Sequence, residues 1–325
     1  MVWNISHSFI TNGNRYQTVT TMIPFHPLTL ADRELVQQRV LHSDYRYCDY
    51  NFLNLIGWRF MYDTEVADYK GWLLFRFKAD GHLAYQIPVG DGDRKDIIKD
   101  MLDDAQQQGH PFLMLGVFEH ALAQLEMAMP GYFFAKADRN YSEYIYSRDK
   151  LSTLSGKKLQ PKRNFINRFV SQHPDYQFVP LTPDLFDRCL ELDHKWAKEK
   201  TEEQTHDKFT YQAERQALVT MFDNWEAAGA RGGALIVDNE IIAFTLGAGI
   251  NYDTFDVCIE KADTQYEGAF TVINRDFVRS LPEQYVHINR EEDLGLPGLR
   301  RSKLSYHPEQ LLHKYTVMTK HPLGE

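Results

Sequence analysis

The chain has 325 residues, long for a single hydrophobic core and comfortable for two. Its 43% hydrophobic and 13% aromatic content argues against extensive disorder, and a formal net charge of −9 against indiscriminate binding to nucleic acid or anionic membranes. No window approaches the roughly 20 apolar residues that cross a bilayer, and residues 1–17 lack a basic stretch followed by an apolar run, so no membrane span and a cytoplasmic location are expected.

In chain order, the first landmark is Phe25-His26-Pro27-Leu28-Thr29, an extended run ending in Pro followed by a Thr placed to cap a helix over 30–41. Further on, 51–62 reads as helix, and strands are expected at 65–69, 72–78 and 82–88. A Gly90-Asp91-Gly92-Asp93 turn opens a helix to about 108, and a strand follows at 112–117. Phe178-Val179-Pro180-Leu181-Thr182 then repeats F-x-P-L-T, 153 residues after the first copy. The order of elements repeats as well. Helices are expected at 183–200 and 211–228, strands at 234–237, 241–247 and 254–260, a Gly268-led helix to about 280, and a strand at 285–289. The turns are Asp238-Asn239 and Asn251-Tyr252-Asp253.

Each half therefore reads helix, antiparallel meander, helix, strand, which predicts an α/β (α+β) fold of mixed sheets covered by helices. The division is set at 1–150 and 151–325. A meander followed by a crossover helix places the new strand beside the last meander strand, where neighbours splay and a ligand finds backbone groups. Cys48, Cys189 and Cys258 are odd in number and far apart, so neither a disulfide framework nor a zinc site is suggested, and no H-E-x-x-H pair occurs. No metal is expected.

Three places concentrate chemistry in the second half. Ser155 to Asn164 carries Lys157, Lys158, Lys162 and Arg163 beside the freeing Gly156, a pattern suited to a phosphate or other anion. The stretch Asn289-Arg290-Glu291-Glu292-Asp293 and its sequel to Pro308 begins where a strand ends, delivering carboxylates and cations to a sheet edge. Transfer of an acyl group to an amine needs a base and donors for the developing oxyanion. Glu291 or Asp293 suits the first role, and Lys303 or Arg301 the second. Glu260 and Lys261 end the last meander strand and are expected at the same edge, and Gly268 opens the next helix, where backbone N–H groups can approach a pyrophosphate. The two aspartates at the equivalent turn of the first half would repel a phosphate, so that half reads as non-catalytic.

Leu154-Ser155-Gly156-Lys157-Lys158-Leu159 with Lys162-Arg163-Asn164, and Asn289-Arg290-Glu291-Glu292-Asp293-Leu294-Gly295 with Gly298-Leu299-Arg300 and Lys303-Leu304-Ser305-Tyr306-His307-Pro308, carry a resemblance. The chain resembles standalone bacterial proteins classed with the C-terminal catalytic domain of phosphatidylglycerol lysyltransferases, and more distantly the Fem peptidyltransferases. That resemblance covers nearly the whole chain and implies a tandem pair of acetyltransferase-type (GNAT) folds. In the characterised relatives an aminoacyl group passes from charged tRNA to an amine or hydroxyl acceptor. The lysyltransferases' lysine before an aromatic and a proline maps to Lys303, Tyr306 and Pro308. Two departures are plain: their membrane-embedded half has no counterpart here, and the acetyltransferase pyrophosphate pattern is only partly met between Gln265 and Gly268.

The expectation is an acyl- or aminoacyltransferase with a CoA thioester or aminoacyl-tRNA as donor and a small or phosphorylated acceptor. Glu291, Asp293 and Lys303 are the catalytic candidates. Lys157, Lys158, Lys162, Arg163, Glu260, Lys261, Gly268, Asn289, Arg301 and Tyr306 are expected to hold substrate or anion. The competing reading is a degenerate module that binds a phosphorylated ligand, or tRNA, without chemistry.

Overall fold

The computed structural model of the protein describes residues 22–203 and 208–320. The first half begins with β1 (His26–Pro27) and α1 (Arg33–Leu41). Between them the Asp32 carboxylate accepts from the Thr29 N–H at 2.8 Å and from its hydroxyl at 3.0 Å, closing the helix entry. Next come α2 (Phe52–Tyr62), β2 (Glu65–Tyr69), β3 (Trp72–Ala79), β4 (His82–Tyr85), α3 (Lys95–Gln107), β5 (Leu113–Phe118), α4 (Glu119–Ala128) and β6 (Phe133–Ala137). The second half follows with β7 (Glu143–Ser147), α5 (Arg148–Thr153), α6 (Gln160–Gln172), β8 (Gln177–Pro180), α7 (Phe186–Glu203), α8 (Lys208–Asp223) and α9 (Trp225–Ala228). It closes with β9 (Arg231–Val237), β10 (Glu240–Gly249), β11 (Thr254–Ala262), α10 (Ala269–Ser280), β12 (His287–Asn289), α11 (Pro297–Leu304), β13 (Gln310–Leu312) and β14 (Lys314–Thr319).

Most expected elements are in place. The single helix expected over 211–228 is two, because Asn224 leaves helical geometry and spends its side-chain amide on the Thr220 carbonyl at 2.7 Å. The strand expected over 285–289 is shorter, at His287–Asn289.

The strands form two seven-stranded mixed sheets in the orders β1-β2-β3-β4-β5-β14-β6 and β13-β7-β12-β11-β10-β9-β8. The repeat seen in the sequence is a repeat of topology. In each sheet an edge strand carrying the F-x-P-L-T motif leads an antiparallel meander, whose last strand pairs in parallel with the strand after a crossover helix. The completion of each sheet was not legible. β14 comes from the end of the chain and is inserted between β5 and β6, while β7, which precedes residue 150, is inserted between β12 and β13. Each sheet thus contains a strand from beyond the 150/151 division.

One hydrophobic core runs from the first sheet across α2 to the β10 face of the second sheet, joining Leu53 and Ile56 with Leu218, Met221 and Phe244. The other face of the second sheet packs on α5, α6 and α10 around Phe169, Val272 and Phe277. The α2 segment FLNLIGWRFMY is apolar nearly all round because it lies buried between layers. Gly57 permits its close approach to α8: a Cβ there would lie 2.6 Å from Met221 Cε.

Candidate active site where two strands part

β11 and β12 run in parallel only over Thr254–Asp256 and His287–Asn289; β11 continues to Ala262 while the chain leaves β12 at Asn289. Opposite Leu246 and Gly247 of β10, Cys258 is an extra residue in the β11 ladder, a bulge that re-aims the strand. The segment 290–296 fills the parting. Asn289 Oδ1 accepts the Glu291 N–H at 2.7 Å, the Arg290 N–H reaches the Tyr144 carbonyl at 3.0 Å, and the Lys303 ammonium donates to the carbonyls of Arg290 and Glu292. Glu291 is held at φ +51°, left-handed backbone that a non-glycine residue adopts only when its surroundings impose it.

Four consecutive charged side chains leave this segment for four environments. Arg290 Nη2 donates to Glu260 at 2.7 Å on the α10 side of the sheet. Glu291 turns to the α2 side, where its carboxylate accepts from Asn54 Nδ2 at 2.7 Å. Glu292 joins Asp49 and the fully buried Glu143 around the Lys314 ammonium, at 2.5 Å for Glu292 and 2.7 Å for Asp49, with Glu143 also in contact. Asp293 is completely buried and bound by Arg300, Arg139 and the Tyr144 hydroxyl.

Protonation follows these surroundings. Burial would raise Asp293, but Arg300, Tyr144 and the Gly295 N–H outweigh it and hold the carboxyl well below the usual range. Glu292 is likewise held low, burial being outweighed by Lys314. Three carboxylates around one ammonium leave an excess of negative charge, and Glu143, with burial the larger cause, is pushed up to about 7. The remaining pair, Glu291 and Asp256, lacks such compensation. Burial first, and then each other's charge for Glu291 and the Glu143 and Glu292 charges for Asp256, raise both well above ordinary carboxyls.

Among the described residues neither Asp256 nor Glu291 forms an ion pair with Lys or Arg. Asp256 Oδ2 accepts from Asn51 Nδ2 at 2.9 Å, Asn54 Nδ2 at 3.1 Å and Cys258 Sγ at 3.7 Å, while its buried Oδ1 has no partner. Asp256, Cys258 and Glu291 bring one ligand-type atom each within 4.8 Å of one another. Asn54, Cys258 and Glu291 are half-buried, while Asp256 is fully buried. The arrangement suits a cation. With Asp256 Oδ2 saturated by N–H and S–H donors, it fits a substrate ammonium, which donates hydrogen bonds, better than a metal ion needing several free lone pairs. A second group, Cys48, Glu143 and Glu292, has its countercharge already in Lys314.

Of the expected site residues, the fold brings Glu291, Asn289 and Lys303 together. Asn289 positions the segment, its amide also reaching the Arg46 carbonyl at 2.7 Å and Glu143. Lys303 is buried and committed to carbonyls, and Asp293 is a fixed anion, so neither offers a free catalytic group here. Glu260 and Lys261, expected at one edge, are corrected: neighbouring strand residues face opposite ways, Glu260 to Arg290 and Asn274, and Lys261 to Asp193 and Glu214. Arg163 caps the Leu154 and Gly156 carbonyls, and Lys157, Lys158 and Arg301 are exposed. Lys162 points instead at the ring of the buried Tyr306. Gly268 begins α10 at φ +97°, with the Phe165 carbonyl 2.7 Å from where a Cβ would stand, so α6 is seated on the expected pyrophosphate turn. A cleft of ≈ 630 Å³ on the first half, lined in part by Thr29, Arg59, Arg76 and His110, shares no residue with this site.

The sequence reading missed Asn51, Asn54, Glu143, Asp256 and Lys314. Asn51 and Asn54 come from the half taken as non-catalytic; an amide capping α2 and a second one three residues on, at the start of a largely apolar helix, were their one sequence signal.

A family model described as phosphatidylglycerol lysyltransferase, C-terminal, matches residues 42–318. A conserved protein of unknown function from Bacteroides thetaiotaomicron is 47% identical, with a TM-score of 0.89 over 92% of this chain and 100% of that one. The C-terminal domain of a protein assigned as a lysylphosphatidylglycerol synthetase from Agrobacterium fabrum superposes with a TM-score of 0.64 at 15% identity, over 89% and 92% of the two chains. A tandem GNAT protein from the clavulanic acid biosynthesis pathway gives 0.50 at 11% identity, over 92% and 99%. The fold is therefore tandem GNAT-like. An uncharacterised Mycoplasmoides gallisepticum protein is 25% identical over 195 residues, 60% of this chain and 61% of its own length.

Proposed function

The chain belongs to the family of the phosphatidylglycerol lysyltransferase C-terminal domain, and from that premise we propose that it transfers an aminoacyl group from a charged tRNA to an amine or hydroxyl acceptor. The observation that carries this reading is the uncompensated carboxylate pair, Asp256 and Glu291, at the parting of β11 and β12. An aminoacyl ester brings an ammonium to such a pair; a simple acyl-CoA brings none. The seating of α6 on the Gly268 turn also favours an aminoacyl donor over CoA.

In this mechanism Asp256, oriented by Asn51 and Asn54, holds the ammonium. Glu291, the more exposed of the two, takes the proton from the acceptor's hydroxyl or amine as its oxygen or nitrogen bonds to the ester carbonyl carbon. The bond from that carbon to the ribose oxygen then breaks, and Glu291 returns the proton to the departing hydroxyl. A carboxyl raised above its ordinary range by burial is the stronger proton acceptor this double role asks for.

The test is transfer of a radiolabelled amino acid from charged tRNA to hydroxylamine and to polyol acceptors. Glu291→Gln and Asp256→Asn should each lower the rate by about 10²-fold or more while remaining folded. Full turnover in both variants, or transfer from acetyl-CoA alone, would sink the reading. The internal commitment of Lys303 and Asp293 favours the second reading, a binding module, which predicts saturable tRNA binding without transfer in the wild-type protein.

A further inference from the structure

Arg290 and Glu291 are consecutive residues sent to opposite faces of the second sheet, so the carboxylate pair has a counterpart on the α10 side with the reverse sign of charge. There two cations lie against the Tyr306 ring: Lys162 Nζ from α6 is 3.8 Å from its centroid and the Arg290 guanidinium 4.9 Å. The Tyr146 ring is 5.7 Å from the same guanidinium. Glu260 is the carboxylate bound here, and it also accepts from Asn274 at 3.1 Å. Arg290 Nη2 is thus satisfied, but Nη1 is buried without a hydrogen-bond partner among the described residues. Lys162 forms neither an ion pair nor a hydrogen bond with any described residue; it rests on an aromatic face beside a second cation.

A buried guanidinium N–H without an acceptor and a half-buried ammonium with no hydrogen-bonded anion, its one opposing charge being the Glu260 carboxylate already bound to Arg290, are both costly unless an anion completes them. We propose that this recess binds a phosphate oxyanion, with one oxygen accepting from Arg290 Nη1 and another from Lys162 Nζ. Arg290 and Lys162 are close enough for each to feel the other's charge, and a tetrahedral phosphate presents oxygens to two such donors at once, a task suited to the pairing of arginine with lysine. The phosphate belongs either to the terminal nucleotide of a charged tRNA or to a glycerophosphate head group. This deepens the transferase reading by giving its substrate an anionic group on one face of the sheet and a cationic one on the other. Of the four cations expected to hold an anion, Lys162 is the one the fold turns inward.

Burial, and then the nearby Arg290, lower the Lys162 amine to about 8. The groups facing it are Arg290 from the β12 loop, Glu260 from β11, Tyr146 from β7 and Tyr306 beyond α11. Both tyrosines are raised above the ordinary phenol range by burial, leaving Lys162 to change charge between pH 7 and 9. Its charged form, present below about 8, is the one that binds.

The experiment is titration calorimetry of the full chain at low salt with inorganic phosphate, AMP and glycerol 3-phosphate, at pH 7 and pH 9. Binding should weaken about tenfold at the higher pH, as expected when one required ammonium is lost across its pKa. Lys162→Ala and Lys162→Gln should each lose about tenfold or more at pH 7, and Lys158→Ala should change nothing. Tighter AMP binding assigns the phosphate to a nucleotide and tighter glycerol 3-phosphate binding to a lipid head group, while equal affinities for all three probes would overturn both assignments. No binding of any probe, or unchanged affinity in both Lys162 variants, overturns the proposal. No step requires turnover, so phosphate binding by a protein inert toward every donor would sink the transferase reading and leave this one standing.

Discussion

Glu291, Glu292 and Asp293 differ little in kind and greatly in circumstance. Asp293 is surrounded by donors and is an anion; Glu292 has an ammonium; Glu291 has an amide and another carboxylate. Only the last is tuned for proton transfer, and the tuning costs stability. Below the ordinary carboxyl range the folded and unfolded chains both hold the Glu291 proton. As pH rises the unfolded chain releases it first, so the folded state is progressively disfavoured up to the raised pKa. Glu291→Gln removes that cost. It should therefore abolish transfer while raising stability at pH 8 by roughly 0.5–2 kcal/mol, the usual scale of such exchanges. The gain should vanish near pH 4. Thermal melts of both proteins at the two pH values check this, and a Gln variant less stable at pH 8 would mean the carboxylate is compensated by a group outside the pair.

At the scale of elements, the meanders were readable because their signals are local. Lys70-Gly71, Asp80-Gly81 and Asp238-Asn239 all have positive φ at both positions, as type I′ hairpin turns require, and the apolar strands β3, β4, β9 and β10 beside them are buried over most of their length. The start of α10 was half-read. Gly268 is needed there, but for the close seating of α6 as much as for any ligand. Gly268→Ala would place its methyl against the Phe165 carbonyl in left-handed backbone, and should destabilise the protein by roughly 1–3 kcal/mol in denaturant unfolding. An unchanged midpoint would show that α6 does not press on this turn. The bulge at Cys258 carried no sequence mark, since the extra residue is defined only by its partner strand.

Across the whole molecule, the two halves are repeats that have exchanged a strand. β14 completes the first sheet and β7 the second, and Lys314 of one meets Glu143 of the other, so the seam is also a wall of the site. We expect the segments 1–150 and 151–325, produced separately, to lack cooperative unfolding, because each would leave its sheet with a gap between two strands and the shared core open. A sharp two-state melt from either segment alone would show that the exchange is not needed for folding.

The sequence by itself determined the repeated order of elements, the mixed α/β class and the polar segment after β12, because period, turn chemistry and strand ends are written in neighbouring residues. It also placed Glu291 among its catalytic candidates, beside Asp293 and Lys303. The tertiary structure alone decided that Asp256 and two asparagines from the first half would be Glu291's companions, that Asp293 and Lys303 would serve the framework, and that Lys162 would face Arg290. Those outcomes depend on which distant side chains meet and on how deeply they are buried. Burial and charge compensation are properties of a place in the fold, and no residue carries them alone.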